Sequence, residues 1–75
     1  MKRVGEVVRT AQGLAVARAS DAEHPDLGAE VVDESLSTVG RVVDVFGPVD
    51  RPYVAVSPAE GVRPAGLVGE KLYAR

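Results

Sequence analysis

The chain has 75 residues with no cysteine, a single histidine and a formal net charge of -2, which excludes disulfides, thiolate zinc sites and a His-rich metal centre. One domain over residues 1–75 is expected; a chain this short buries only about 60% of its unfolded surface, and with disulfides and metal excluded a partner is the remaining kind of staple, although many domains of this size fold alone. The negative balance offers no overall basic footprint for nucleic acid, and no apolar run approaches the ~18 residues of a membrane span, so a soluble, intracellular protein is predicted.

Val4 to Arg9 is a short β-branched run, and Gln12-Gly13 supplies a turn into Leu14 to Ala19, giving a first hairpin. In the second run Leu14 and Val16 share one face and the small Ala15 and Ala17 share the other. Ser20 to Gly28 lacks apolar periodicity and reads as a surface loop; Ala29 to Asp33 resumes a strand before a turn at Glu34-Ser35. Leu36 to Phe46 reads as a long strand bent at Gly40. Strict alternation puts Val39, Arg41, Val43 and Val45 on one side, and Gly40, Val42, Asp44 and Phe46 on the other. Neither side is purely polar, as in a tightly curled barrel or a sheet whose outside a second protein covers.

Gly47-Pro48 ends that strand, because proline cannot donate to a ladder. Tyr53 to Ser57 follows Pro52 as the next strand, Pro58 to Gly66 reads as a loop, and Leu67 to Ala74 closes the chain as a strand. Six strands and no helix are predicted. In so short an all-β chain, exposed edges favour closure into a small six-stranded β-barrel.

Catalytic signals are weak. Asp33 and Glu34 are neighbours, so on a strand they point to opposite faces and form no acid/base dyad. Asp44, inside a valine-rich strand, is the strongest candidate for an unusual carboxylate, with pairing to an arginine or a backbone donor the expected structural role. His24 lies in the acidic loop, and Ser35, Ser37 and Ser57 have no histidine near them in sequence, so triad chemistry has no support. The eight glycines never assemble a phosphate-binding loop before a helix. No catalytic residue, cofactor, metal or small-molecule substrate is expected.

Charge is unevenly spread. Ser20 to Glu34 holds six acids and no Lys or Arg, leaving nine basic residues against five acids elsewhere. Phe46, Tyr53 and Tyr73 can fill a core, stack on bases or present a protein interface. Only Arg51 adjoins Phe46 or Tyr53 in the sequence, which favours packing and protein contact; a stand-alone barrel binding RNA directly through Tyr53, Tyr73 and nearby arginines is the alternative.

The most specific string is Val39-Gly40-Arg41-Val42-Val43-Asp44-Val45-Phe46-Gly47-Pro48-Val49, followed by Pro52-Tyr53-Val54-Ala55-Val56 and a closing Val68-Gly69-Glu70-Lys71-Leu72-Tyr73. With Val31-Val32-Asp33 ahead of it, this order resembles the Gar family of archaeal H/ACA ribonucleoproteins, which carry out RNA-guided pseudouridylation, over about Arg3 to Tyr73. The resemblance implies a six-stranded barrel similar to the second domain of translational GTPases. It also implies a non-catalytic subunit docked on the catalytic domain of a dyskerin-type pseudouridine synthase, in contact with guide RNA only indirectly, promoting substrate loading and product turnover in rRNA modification. An archaeal, cytoplasmic location follows from the same resemblance. Carried over residue by residue, the motif gives Val45, Phe46, Gly47, Pro48, Val49, Pro52 and Tyr53 as the docking region, with Gly40 permitting close backbone approach. The Gly/Arg-rich tails of the family's eukaryotic members have no counterpart in this sequence, so RNA binding due to such tails is not carried over. The acidic segment from Asp21 to Glu34 is unexplained by the motif.

Overall fold

The computed structural model describes residues 2–75. Six strands, β1 (Lys2–Ala11), β2 (Leu14–Arg18), β3 (Glu30–Val32), β4 (Thr38–Phe46), β5 (Tyr53–Pro58) and β6 (Lys71–Ala74), close into a barrel in the order β1-β2-β5-β4-β3-β6. Every neighbouring pair runs antiparallel. The predicted all-β barrel is therefore the observed one, and closure removes the free edges that a flat sheet of these valine-rich runs would expose.

The interior is narrow and built from small residues. Val4, Val7, Ala15, Ala17, Val31, Val42, Val54, Val56 and Leu72 are buried in one cluster. Ala15 and Ala17 are the inward face of β2, because a six-stranded barrel has little room at its axis and larger side chains come from the other strands.

The first four residues of the predicted closing strand, 67–70, lie outside the observed one. Leu67 belongs to a 3-10 turn, Pro64–Leu67, that packs against β1 and β2 and inserts Leu67 into the core, and the strand proper begins only at Lys71. Pro64, with its fixed φ, starts the turn, and Gly69 at φ +91° reverses the chain before β6.

Four irregularities set which way side chains point. In β1, Val4 is the extra residue between Arg3↔Tyr73 and Gly5↔Leu72, and Val8 the extra residue between Val7↔Ala17 and Arg9↔Val16. In β4, Val39 is extra opposite β3 and Val43 is extra opposite β5. Each such bulge slips the alternation by one. The bulge at Val43 corrects the predicted facing: Val42 and Val45 both turn toward the core, whereas Asp44 and Phe46 face out.

Candidate functional site

The β4–β5 connection carries the apolar residues singled out in the sequence. Arg51 N–H donates to the Pro48 carbonyl at 3.2 Å, closing a turn whose tip is Val49-Asp50. Val49 is 90% exposed and Phe46 38% exposed, while Gly47 and Pro48 are also at the surface. Tyr53 is half-buried, and its ring stacks on Phe46 with centroids 5.5 Å apart and planes 20° apart. That offset stack is favoured by the ring quadrupoles. The pair follows from the register, in which Phe46 of β4 lies opposite Tyr53 of β5.

Gly47 is essential to this geometry. Its φ of +89° is costly for any residue with a side chain, and a Cβ there would lie 2.8 Å from Tyr53 Cδ2. The chain can pass so close beneath the ring only without a Cβ.

Three of the predicted docking residues are not free surface. Pro52 is buried, and its carbonyl accepts from Ala19 N–H at 2.9 Å. Val45 packs partly against the core. Gly40 is buried, and the close approach it permits is to the chain's own β5: a Cβ would stand 2.1 Å from the Ser57 carbonyl oxygen.

Two residues that the sequence did not place here complete the site. Arg18 sits with its guanidinium carbon 4.6 Å from the Tyr53 ring centre and donates from Nη1 to the Tyr53 hydroxyl at 2.9 Å. Arg9 lies at 5.5 Å from the same ring. Arg51, the basic residue adjoining the aromatics in sequence, turns instead to the Ala19 carbonyl, donating from Nε at 3.0 Å, while Arg18 Nε donates to the Arg51 carbonyl at 3.2 Å. No local sequence signal gives these contacts, which depend on the pairing of β2 with β5 through Arg18↔Tyr53. Together with the Ala19–Pro52 bond they lace the turn to the end of β2, so the surface is preformed.

The catalytic candidates have ordinary surroundings. The Asp44 carboxylate accepts from the following Val45 N–H at 2.8 Å and is exposed. Asp33 accepts from Ser35 and Ser37 N–H groups, shaping its own turn. His24 is exposed, with Nδ1 3.0 Å from the Pro25 carbonyl oxygen. Among the described residues no group of three or more potential metal ligands assembles, and no helix is long and apolar enough to cross a membrane.

The whole chain, residues 1–75, matches the family described as Gar1/Naf1 RNA binding region. An uncharacterized protein of Methanothermobacter thermautotrophicus is 32% identical over 77 residues, covering 97% of this chain and 82% of its own length. H/ACA ribonucleoprotein complex subunit GAR1 of Chaetomium globosum is 27% identical and that of Botryotinia fuckeliana 24% identical, each over 71 residues and 93% of this chain. The chain spans about a third of the length of these fungal relatives, 34% and 32%. The barrel, the Phe46 to Tyr53 connection and the match over every residue agree: the chain belongs to the Gar1/Naf1 family.

Proposed function

We propose that this protein is a non-catalytic subunit of an archaeal H/ACA ribonucleoprotein, working in the cytoplasm. It docks through the Phe46–Val49 turn and the edge of Tyr53 on the catalytic domain of a dyskerin-type pseudouridine synthase. There it promotes substrate loading and product turnover during RNA-guided rRNA modification. Support comes from the family match and from the fungal relatives, which bear the name of an H/ACA ribonucleoprotein complex subunit. The observation that carries the docking site is a 90%-exposed Val49 beside Phe46 on a turn already fixed by hydrogen bonds. Burying one such side chain yields about 1.5–3 kcal/mol, and a preformed turn loses little entropy on binding.

Direct base stacking by Tyr53 is less well supported, since that ring already carries Phe46 and two guanidinium groups. The test is a titration of purified synthase with the full chain, read by calorimetry, together with multiple-turnover pseudouridylation. Phe46→Ala and Pro48→Ala should keep the fold and weaken binding by about tenfold or more, the range of a central interface anchor. Absence of binding, or unchanged affinity in both folded variants, rejects the docking site.

A further inference from the structure

Beside the docking turn, on the outer face of β6, β1 and β2, lies a hollow of about 290 Å³ that brings Arg3, Arg18, Arg51 and Lys71 together with Glu6 and Glu34. Four of the chain's nine basic residues thus converge on one place in a protein of net charge -2. Gly5 lies in its floor, where a Cβ would stand 2.3 Å from the Arg18 carbonyl oxygen, so β1 dips against β2 there. Across the strands the register runs Lys71, Glu6, Arg18, Tyr53 and Phe46, which joins the hollow and the aromatic pair in one surface.

The cations of the hollow have no carboxylate partner of their own. Among the described residues the sole ion pair within 4.0 Å is Arg75–Glu30, outside it. Arg18 and Arg51 are held instead by carbonyl oxygens and by the Tyr53 hydroxyl, which leaves Arg18 Nη2 and both terminal nitrogens of Arg51 free to donate. A guanidinium oriented by neutral acceptors keeps its full charge and presents a planar fork that matches a carboxylate.

The negative charge that fits is short. Glu6 and Glu34 leave the hollow a surplus of only two positive charges. At Arg3 and Ser20 it meets a second concavity whose lining includes Asp21 and Glu23. A long polyanion leaving on that side runs into carboxylates, whereas one or two acidic side chains end inside the hollow. On the other side stand Phe46, Val49 and Tyr53, and arginine beside exposed aromatic and apolar side chains is the composition of a protein interface.

We propose that the hollow takes one or two Asp or Glu side chains of an acidic segment belonging to the protein that covers the Phe46 turn. The segment's carboxylates meet the free nitrogens of Arg18 and Arg51, with Arg3 and Lys71 adding long-range attraction at the rim. Only the identity of that protein rests on the docking reading; the carboxylate site is a property of the hollow.

The first arm of the test follows backbone amide and arginine Nε–H resonances of the full chain by NMR as a short peptide with an Asp-Glu pair and one apolar residue is added. A Kd on the order of a millimolar is expected, because partly exposed ion pairs each contribute little. Shifts should centre on Gly5, Arg18, Arg51 and Lys71, and the Asn-Gln version of the peptide should produce none of them. The proposal is overturned if the Asp-Glu peptide leaves these resonances unmoved, or if single-stranded RNA at equal charge concentration shifts the same set at lower concentration. The second arm titrates the synthase with Arg3→Glu/Lys71→Glu, which reverses two exposed side chains outside the docking turn; Arg3→Gln/Lys71→Gln replaces it if the NMR spectrum shows the first variant unfolded. Affinity should fall about fivefold or more at about 50 mM salt, and by less at about 500 mM. Arg41→Glu/Arg63→Glu, outside the hollow, should change it less than about twofold. Synthase binding that the hollow variant leaves unchanged overturns the proposal and leaves the Phe46 docking standing. If the parent chain binds no synthase, the docking reading falls and the peptide arm alone decides for or against the carboxylate site.

Discussion

Arg18 and Tyr53 lie 35 residues apart in sequence, yet the Arg18 guanidinium covers the Tyr53 ring at 4.6 Å and donates to its hydroxyl at 2.9 Å. Both follow from one register pairing between β2 and β5. The consequence is that Tyr53 has a fixed orientation before any partner arrives, and Phe46, stacked upon it, inherits that order. Arg18 also faces the basic hollow, so a single side chain joins the apolar and the cationic parts of the surface.

Removing either partner should therefore loosen the other. Arg18→Ala is expected to cost about 1–3 kcal/mol, the sum of a cation–π contact and hydrogen bonds from a half-buried charged donor. Tyr53→Phe deletes only the hydroxyl and should cost about 0.5–1.5 kcal/mol. A urea-unfolding double-mutant cycle should give a positive coupling between the two, and additive effects would show that the contact is energetically idle.

Gly47→Ala should damage the site more than the barrel. The new methyl meets Tyr53 Cδ2 at 2.8 Å and forces an unfavourable positive φ, so the ring must move. A loss of about 1–2 kcal/mol is expected, with a changed near-ultraviolet circular dichroism from tyrosine, since the chain has two tyrosines and no tryptophan. An unaltered tyrosine signal would mean the stack tolerates the methyl.

Gly5→Ala and Gly40→Ala place a methyl 2.3 Å and 2.1 Å from backbone carbonyl oxygens that cannot rotate away. Strands must separate, so each should destabilise by about 3 kcal/mol or more, or prevent folding. Gly66→Ala, with nothing within 4 Å and no positive φ, should stay within about 0.5 kcal/mol of the parent. Thermal melts of the three variants check the ranking.

Leu72→Ala removes the largest fully buried side chain. In the cavity range this costs about 2–5 kcal/mol, against a total of roughly 4–11 kcal/mol expected for a domain of this length. A midpoint drop of about 8 °C or more follows, at 4–8 °C per kcal/mol for small domains. Val49→Asp, on a 90%-exposed tip, should leave the midpoint unchanged while lowering affinity for the synthase if the turn docks there.

Much of the architecture was legible in the residues themselves. Valine-rich runs punctuated by Gln12-Gly13, Gly47-Pro48 and Pro52 give six strands and a closed barrel, because local turn chemistry and β-branched side chains act over a few residues. The turn from Phe46 to Tyr53 was likewise legible as an apolar surface segment. The 3-10 turn at Pro64–Leu67 was not, since Leu67 is drawn inward by a core assembled from distant strands.

Which way the chain faces at each point is set by strand pairing instead. The bulge at Val43 shifts the alternation of β4 by one residue, sending Val45 inward and Phe46 outward. Such slips depend on the partner strand, not on the strand that bulges. Pairing of β2 with β5 brings Arg18 to Tyr53, and the dip of β1 at Gly5 helps to gather Arg3, Arg18, Arg51 and Lys71 around one hollow. Sequence determined the strands and the composition of the surface; register, which is a property of strand pairs, determined which residues share it.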